Sequence, residues 1–204
     1  ARGRENDLAH AGPARRNSVA GRYPERFRRF LAVFQHLLPI RETGGELGGN
    51  MGRQSGQAAQ GADVAAVRMQ YAALCWRDGV AGVEVLLITS RDTGRWVIPK
   101  GWPMAGISPE AAAAREAWEE AGVEGSVNPV CLGRFGYLKE MAASPAVPCA
   151  VAVYGLKVQT LAKKFPEKGE RQRQWFRPDE AALLVREPDL AVLIRDFAPP
   201  AEGR

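Results

Sequence analysis

The stretch 108–122 is a helix with both of its ends written into the sequence. Ser108 is a good N-cap, Pro109 suits the first helical position because its missing N–H would be unsatisfied there, and Gly122 tolerates the left-handed turn that ends a helix. Ala111, Ala112, Ala113 and Ala114 favour the helical state between these marks. Apolar, β-rich runs lie on either side. The runs 70–77 and 83–90 are separated by Asp78-Gly79 in the manner of a hairpin, 96–98 is a short run stopped by Pro99, and 130–138, 150–158 and 172–176 follow. A loop is expected over 100–107 and two closing helices over 178–185 and 189–197. Strands with helices inserted between and after them predict an α/β domain, with helices on both faces of one sheet.

The 204 residues carry 28 Lys+Arg against 23 Asp+Glu, a formal charge of +5, but ten Arg and only six acids fall within residues 1–67. The rest is nearly neutral, which argues against a nucleic-acid partner. Residues 1–67 are Arg/Gly/Ala-rich and read as a disordered basic extension. It is interrupted by a stripe at helical spacing over 27–38: Phe27, Phe30, Leu31, Phe34, Leu37 and Leu38. Met51 is the first methionine. It is taken as the true start, which makes residues 1–50 dispensable, with the folded domain at 68–199 and a tail at 200–204.

Histidine supplies the sharpest exclusion: His10 and His36 are the only two, so the domain has no imidazole base and no histidine metal ligand. Carboxylates, Lys, Arg and Tyr are left for chemistry. Cys75, Cys131 and Cys149 form no C-x-x-C pair and sit in apolar runs, so they are expected to be buried thiols in a reducing, cytoplasmic setting. The uncharged stretch 141–156 contains Pro145, Pro148 and Gly155 and is shorter than the roughly 20 apolar residues of a spanning helix, so no membrane partner is expected.

On the 108–122 helix, Glu116, Glu119 and Glu120 stand at i, i+3 and i+4 and project from one face. A solvated acidic face is the usual reading of such a run. On an exposed face, removing the Glu120 charge would relieve repulsion and leave stability level or higher. A divalent cation reverses the sign of that repulsion. Three aligned carboxylates, a Pro99-Lys100-Gly101 turn offering the Lys100 carbonyl, and no histidine together fit Mg²⁺, with Mn²⁺ as the alternative.

The segment 101–123, GWPMAGISPEAAAAREAWEEAGV, resembles the Nudix box G-x5-E-x7-R-E-U-x-E-E-x-G-U. It departs at one position, where Ile107 stands for the first Glu; in the family that Glu braces the loop through the box Arg, so Arg115 is expected to lack its partner. The runs 89–99, TSRDTGRWVIP, and 171–176, RQRQWF, resemble the diphosphoinositol polyphosphate phosphohydrolase branch, with Gln174 in place of that branch's Glu. The resemblance implies a Nudix-type α/β/α sandwich around a central mixed sheet and hydrolysis of a phosphoanhydride.

It implies metals held by Glu116 and Glu120, assisted by Glu119 and the Lys100 carbonyl. Arg115 belongs to the same catalytic set. The general base is Glu119, with Glu140, Glu167 and Glu170 in reserve. Arg91, Arg95, Lys100, Arg171 and Arg173 are candidates for a substrate rim, because guanidinium matches phosphate oxygens bidentately; ordinary surface charge is the competing reading of each. Trp96 and Trp175 are expected in the core, and Trp118 is a candidate for stacking on a base. The expected substrate is a small phosphorylated molecule, either a nucleoside diphosphate linked to another group or a diphosphoinositol polyphosphate-like compound, acted on by a monomer or homodimer. A catalytically weak module that senses a nucleotide or metabolite is the alternative, motivated by Ile107. RNA 5′-end processing shares the chemistry but is disfavoured by the near-neutral domain.

Overall fold

The computed structural model describes residues 67–141 and 144–200, all within the compact unit Met51–Arg204. The expected 27–38 helix and the start at Met51 lie outside the described residues. The elements are β1 (Arg68–Gly79), β2 (Gly82–Thr89), β3 (Trp96–Val97), β4 (Lys100–Gly101), α1 (Pro109–Ala121), β5 (Val123–Met141), β6 (Ser144–Leu161), β7 (Arg173–Phe176), α2 (Pro178–Leu184) and α3 (Pro188–Arg195). No described helix is long and apolar enough to cross a membrane.

β1 and β2 form the expected hairpin, but its closing pair is Gly79 opposite Gly82, so the turn is Val80-Ala81 and not Asp78-Gly79. Gly82 takes a φ of 118°, which a side chain would resist, and a glycine there lets Asp78 and Gly79 stay in the ladder. Away from the turn, beyond the Trp76–Val85 pair, the two strands part. The segment 96–101 fills the gap: β3 pairs with β2 (Ile88 opposite Val97) and β4 pairs with β1 (Ala72 opposite Lys100). Pro99 between them has no N–H to offer and accepts from Ala73 N–H at 3.1 Å.

β1 runs parallel to β6, which pairs antiparallel with β5, and β7 adds to the outer edge of β2. β5 and β6 span 19 and 18 residues, far longer than the expected 130–138 and 150–158. Gly125, Pro129 and Gly133 resemble loop punctuation in the sequence; here they fall at or beside register shifts, where bulges absorb them without ending the strand.

Alternation along β1 and β2 divides the core. Ala73, Cys75, Leu86, Ile88 and Val97 pack under α1, with Ala113, Ala117 and Ala121. Ala72, Leu74, Trp76, Val85 and Leu87 pack on the other face with Ala181, Ala182, Leu190 and Ile194 of α2 and α3. The mixed sheet thus carries helices on both faces, as the strand and helix order predicts.

Candidate active site

α1 lies close to the sheet because the face it turns inward is mostly alanine. Ser108 begins it with extended backbone, although its hydroxyl bonds Glu110 and not a helix N–H; Gly122 ends it at φ 63°, donating to the Ala117 and Trp118 carbonyls. Glu120 falls on the buried face and is 9% exposed. One of its oxygens accepts from the Lys100 backbone N–H at 3.0 Å and the other from Arg171. The Glu116 carboxylate backs onto Gly101, where even a Cβ would overlap it. Burial, and then the charges of Glu120, Glu119 and Glu167, push its pKa up to about 7. Burial also raises Glu120, against the opposing pull of Arg171 and Lys100.

The acidic group extends beyond the helix. The loop after β6 returns to α1, with Glu167 N–H donating to the Glu119 carbonyl at 3.1 Å, and so brings Glu167 beside the helix. Arg171, only 7% exposed, joins these parts. Its guanidinium donates to Glu120, to Glu167 at 2.9 Å and to the Thr89 carbonyl at 3.1 Å. Arg91, largely exposed, bridges Glu167 at 3.5 Å and Glu170 at 3.3 Å. Of the reserve bases, then, Glu167 joins the cluster, Glu170 sits at its rim, and Glu140 is exposed on β5 near the turn into β6.

The cationic candidates separate by role. Lys100 points its ammonium toward the Tyr137 ring, 5.4 Å away, and burial lowers its pKa despite the Glu120 charge. Arg95 pairs with Glu187 at 2.6 Å; the second oxygen of Glu187 is buried and has no hydrogen-bond partner. Arg173 does not stand free for a phosphate: it donates to the Ala121 and Ala162 carbonyls, with its guanidinium 5.1 Å from the Phe165 ring. It ties the end of α1 to the loop after β6. Arg115 is not without a partner, because it takes Glu119 one turn along its own helix while Ile107 stays 43% exposed. Its guanidinium also lies 5.6 Å from the Trp118 ring, which covers that ring on one side.

Trp96 meets Phe176 edge-on inside one core, and Trp175 packs on the other beneath Arg77. Cys75 and Cys149 are buried, but Cys131 is exposed, because the bulge beside it at Val127/Cys131 turns an apolar run on the edge strand outward.

A NUDIX domain model matches residues 68–197, most of the chain and nearly all of the described part. The chain belongs to the Nudix family. It is 31% identical over 121 residues to human diphosphoinositol polyphosphate phosphohydrolase 3-alpha, covering 58% of this chain and 70% of that protein. It is 34% identical over 109 residues to Nudix hydrolase 16, mitochondrial, of Arabidopsis thaliana, covering 52% and 60%. The fold matches the E. coli dihydroneopterin triphosphate pyrophosphohydrolase with a TM-score of 0.50 at 15% identity, over 64% of this chain and 96% of that one. A NUDIX hydrolase from Nitrosomonas europaea matches with the same TM-score at 20% identity, over 64% and 88%.

In this member of the Nudix family the acids lie in an environment that suits a hard divalent cation. The nearby groups are carboxylates, and Glu116 sits among negative charges that such a cation would neutralise. Among the described residues no three acidic, histidine or cysteine side chains converge on one point. Three contributors escaped sequence reasoning. Thr89 receives both Arg171 and, through its hydroxyl, the Gln172 N–H; Glu187 holds Arg95; Gln70 accepts from the Tyr137 hydroxyl at 2.7 Å. Glu187 and Gln70 lie in no motif and Thr89 only opens the 89–99 run, so it is their pairing in the folded chain that reveals them.

Proposed function

We propose that this Nudix protein hydrolyses a phosphoanhydride bond in a small polyphosphorylated substrate, a nucleoside diphosphate derivative or a diphosphoinositol polyphosphate-like compound, with Mg²⁺ or Mn²⁺. The observation that carries this reading is Glu116: a half-buried carboxylate crowded by Glu120, Glu119 and Glu167 against the Lys100-Gly101 turn. Glu116, Glu120 and the Lys100 carbonyl would hold the cation, with Glu119 or Glu167 beside it. When bound, the cation supplies charge neutralisation and a more acidic water.

The protein's own groups do the rest. Glu119, paired with Arg115, and Glu167, paired with Arg171 and Arg91, are the two acids placed to serve as base for the attacking water. Lys100 and the exposed Arg91 offer positive charge to phosphate oxygens. The name of the human relative supports the diphosphoinositol polyphosphate class as the first substrate to try. Three free cysteines are in keeping with a reducing, cytoplasmic compartment.

A panel of diphosphoinositol polyphosphates, dinucleoside polyphosphates and ADP-ribose, assayed for product with Mg²⁺ and with Mn²⁺, tests the reading. Turnover on at least one compound that vanishes with chelator is expected. Tight binding with no turnover on any member would favour the sensor alternative, for which the specific observation is the exposed Ile107 and the Arg115–Glu119 pair.

A further inference from the structure

We infer that Arg171 is the resident counter-ion of the cation site, occupying by its guanidinium the place between Glu120 and Glu167 and yielding it when a divalent cation binds. This rests on the reading of the acidic cluster as a cation site. The geometry is specific. Arg171 is at least as buried as the carboxylate it meets, with 7% and 10% of the two side chains exposed, and it donates to Glu120 through one nitrogen and to Glu167 through another. The remaining oxygen of Glu120 takes the Lys100 N–H, and the remaining oxygen of Glu167 faces Arg91.

All four oxygens of these two carboxylates thus face this chain's own donors, and the Arg171 guanidinium occupies the space between the two acids that a cation bridging them would need. The Lys100 N–H is backbone, anchored in the β1–β4 ladder. Arg91 reaches Glu167 only at 3.5 Å and is mostly in solvent. Arg171 is the donor shared by both acids, and it is a flexible side chain whose third contact, the Thr89 carbonyl, lies on β2 and away from them.

A singly charged planar donor and a compact doubly charged ion compete for the same oxygens, so cation binding is weakened by whatever Arg171 contributes to the empty site. Displaced, the guanidinium remains tethered beside the acids with no carboxylate to neutralise it, and becomes a donor for a phosphate oxygen. Linkage then requires the converse: an anion that holds Arg171 outward strengthens cation binding.

The test is equilibrium Mn²⁺ binding to the full chain without substrate, followed by electron paramagnetic resonance of the free ion, in the wild type and in Arg171→Met. Removing the competing charge is expected to tighten Mn²⁺ binding by about tenfold or more, the order of one close charge interaction. Arg171→Lys, which keeps the charge but cannot reach both acids with a planar fork, should fall between the two. A measurement on the wild type alone guards against a variant that fails to fold. The Arg171 Nε–H resonance, assigned from its loss in Arg171→Lys, should move on titration with diamagnetic Mg²⁺. Unchanged or weaker Mn²⁺ binding in folded Arg171→Met, or an Nε–H resonance indifferent to saturating Mg²⁺, overturns the inference while leaving the cation site in place. A wild type that binds no Mn²⁺ overturns the cation site itself, and with it this inference.

Discussion

Glu120 is held on both oxygens, and that changes what its removal does. On a solvated helix face, Glu120→Gln would be neutral or stabilising. In this setting it weakens the partners of Arg171 and Lys100 in a buried place, so the metal-free protein should lose about 1–3 kcal/mol, measured by urea denaturation, while turnover falls to background. Glu116 gives a pH signature. Its carboxyl is held at about 7 in the folded chain against an ordinary 4.5, so the native state keeps a proton that the unfolded chain has released. The stability this contributes is complete below about pH 4.5 and is lost as pH rises through 7. Without divalent cation, the thermal midpoint should fall between pH 5 and 8, and Glu116→Gln should flatten the fall; a wild-type midpoint that is level across that range contradicts the assignment. Arg173→Ala should cost stability and lower turnover on ADP-ribose and on a polyphosphate by similar factors, because its guanidinium serves two main-chain carbonyls. A selective rise in KM for the polyphosphate would return Arg173 to the substrate rim.

At the scale of elements, the decisive joint is the end of α1. Gly122 is left-handed, and a Cβ there would stand 2.5 Å from the Phe165 ring, while its carbonyl accepts from Ala162 at 2.7 Å. One residue thus ends the helix, admits Phe165 and aligns the loop that carries Glu167. Gly122→Ala combines a strained φ with that overlap, and should destabilise by more than the roughly 1 kcal/mol of a simple left-handed cap. It should also weaken Mn²⁺ binding, which a change confined to the helix terminus would leave alone. The second joint is the gap between β1 and β2. If those strands stayed paired along their length, 96–101 would have no ladder to join, and the Lys100 N–H would not face Glu120.

For the whole molecule, a cation at this site would join groups from β4, α1 and the loop after β6, three parts of the chain that the sheet alone does not tie together. Binding that favours only the folded state should therefore raise the thermal midpoint, by the equivalent of about 2.7 kcal/mol at one hundred times the dissociation constant. The shift should be lost in Glu116→Gln and Glu120→Gln. An equal shift in those variants would locate the ion elsewhere.

What was legible in the sequence is what depends on neighbours along the chain. The caps and alanines of α1, the apolar, β-rich runs of β1 and β2 and the i, i+3, i+4 spacing of the glutamates are local patterns, and they predict the fold class and place the three glutamates on one helix. Even the hairpin was off by only two residues, because Asp78-Gly79 and Gly82 are competing turn signals and the ladder chose between them. The arginines were different. Arg171 and Arg173 are two residues apart, one just before β7 and one opening it, and no local rule separates them. Only the pairing of β7 with β2, and the return of the 162–170 loop onto α1, direct Arg171 to two carboxylates and Arg173 to two carbonyls. Arg115 met Glu119 one turn along its own helix, and Glu167 entered the site through its backbone hydrogen bond to α1 and its pairing with Arg171. A charged side chain is long and its partner is set by distance in space, so its role is decided when the chain closes and not before.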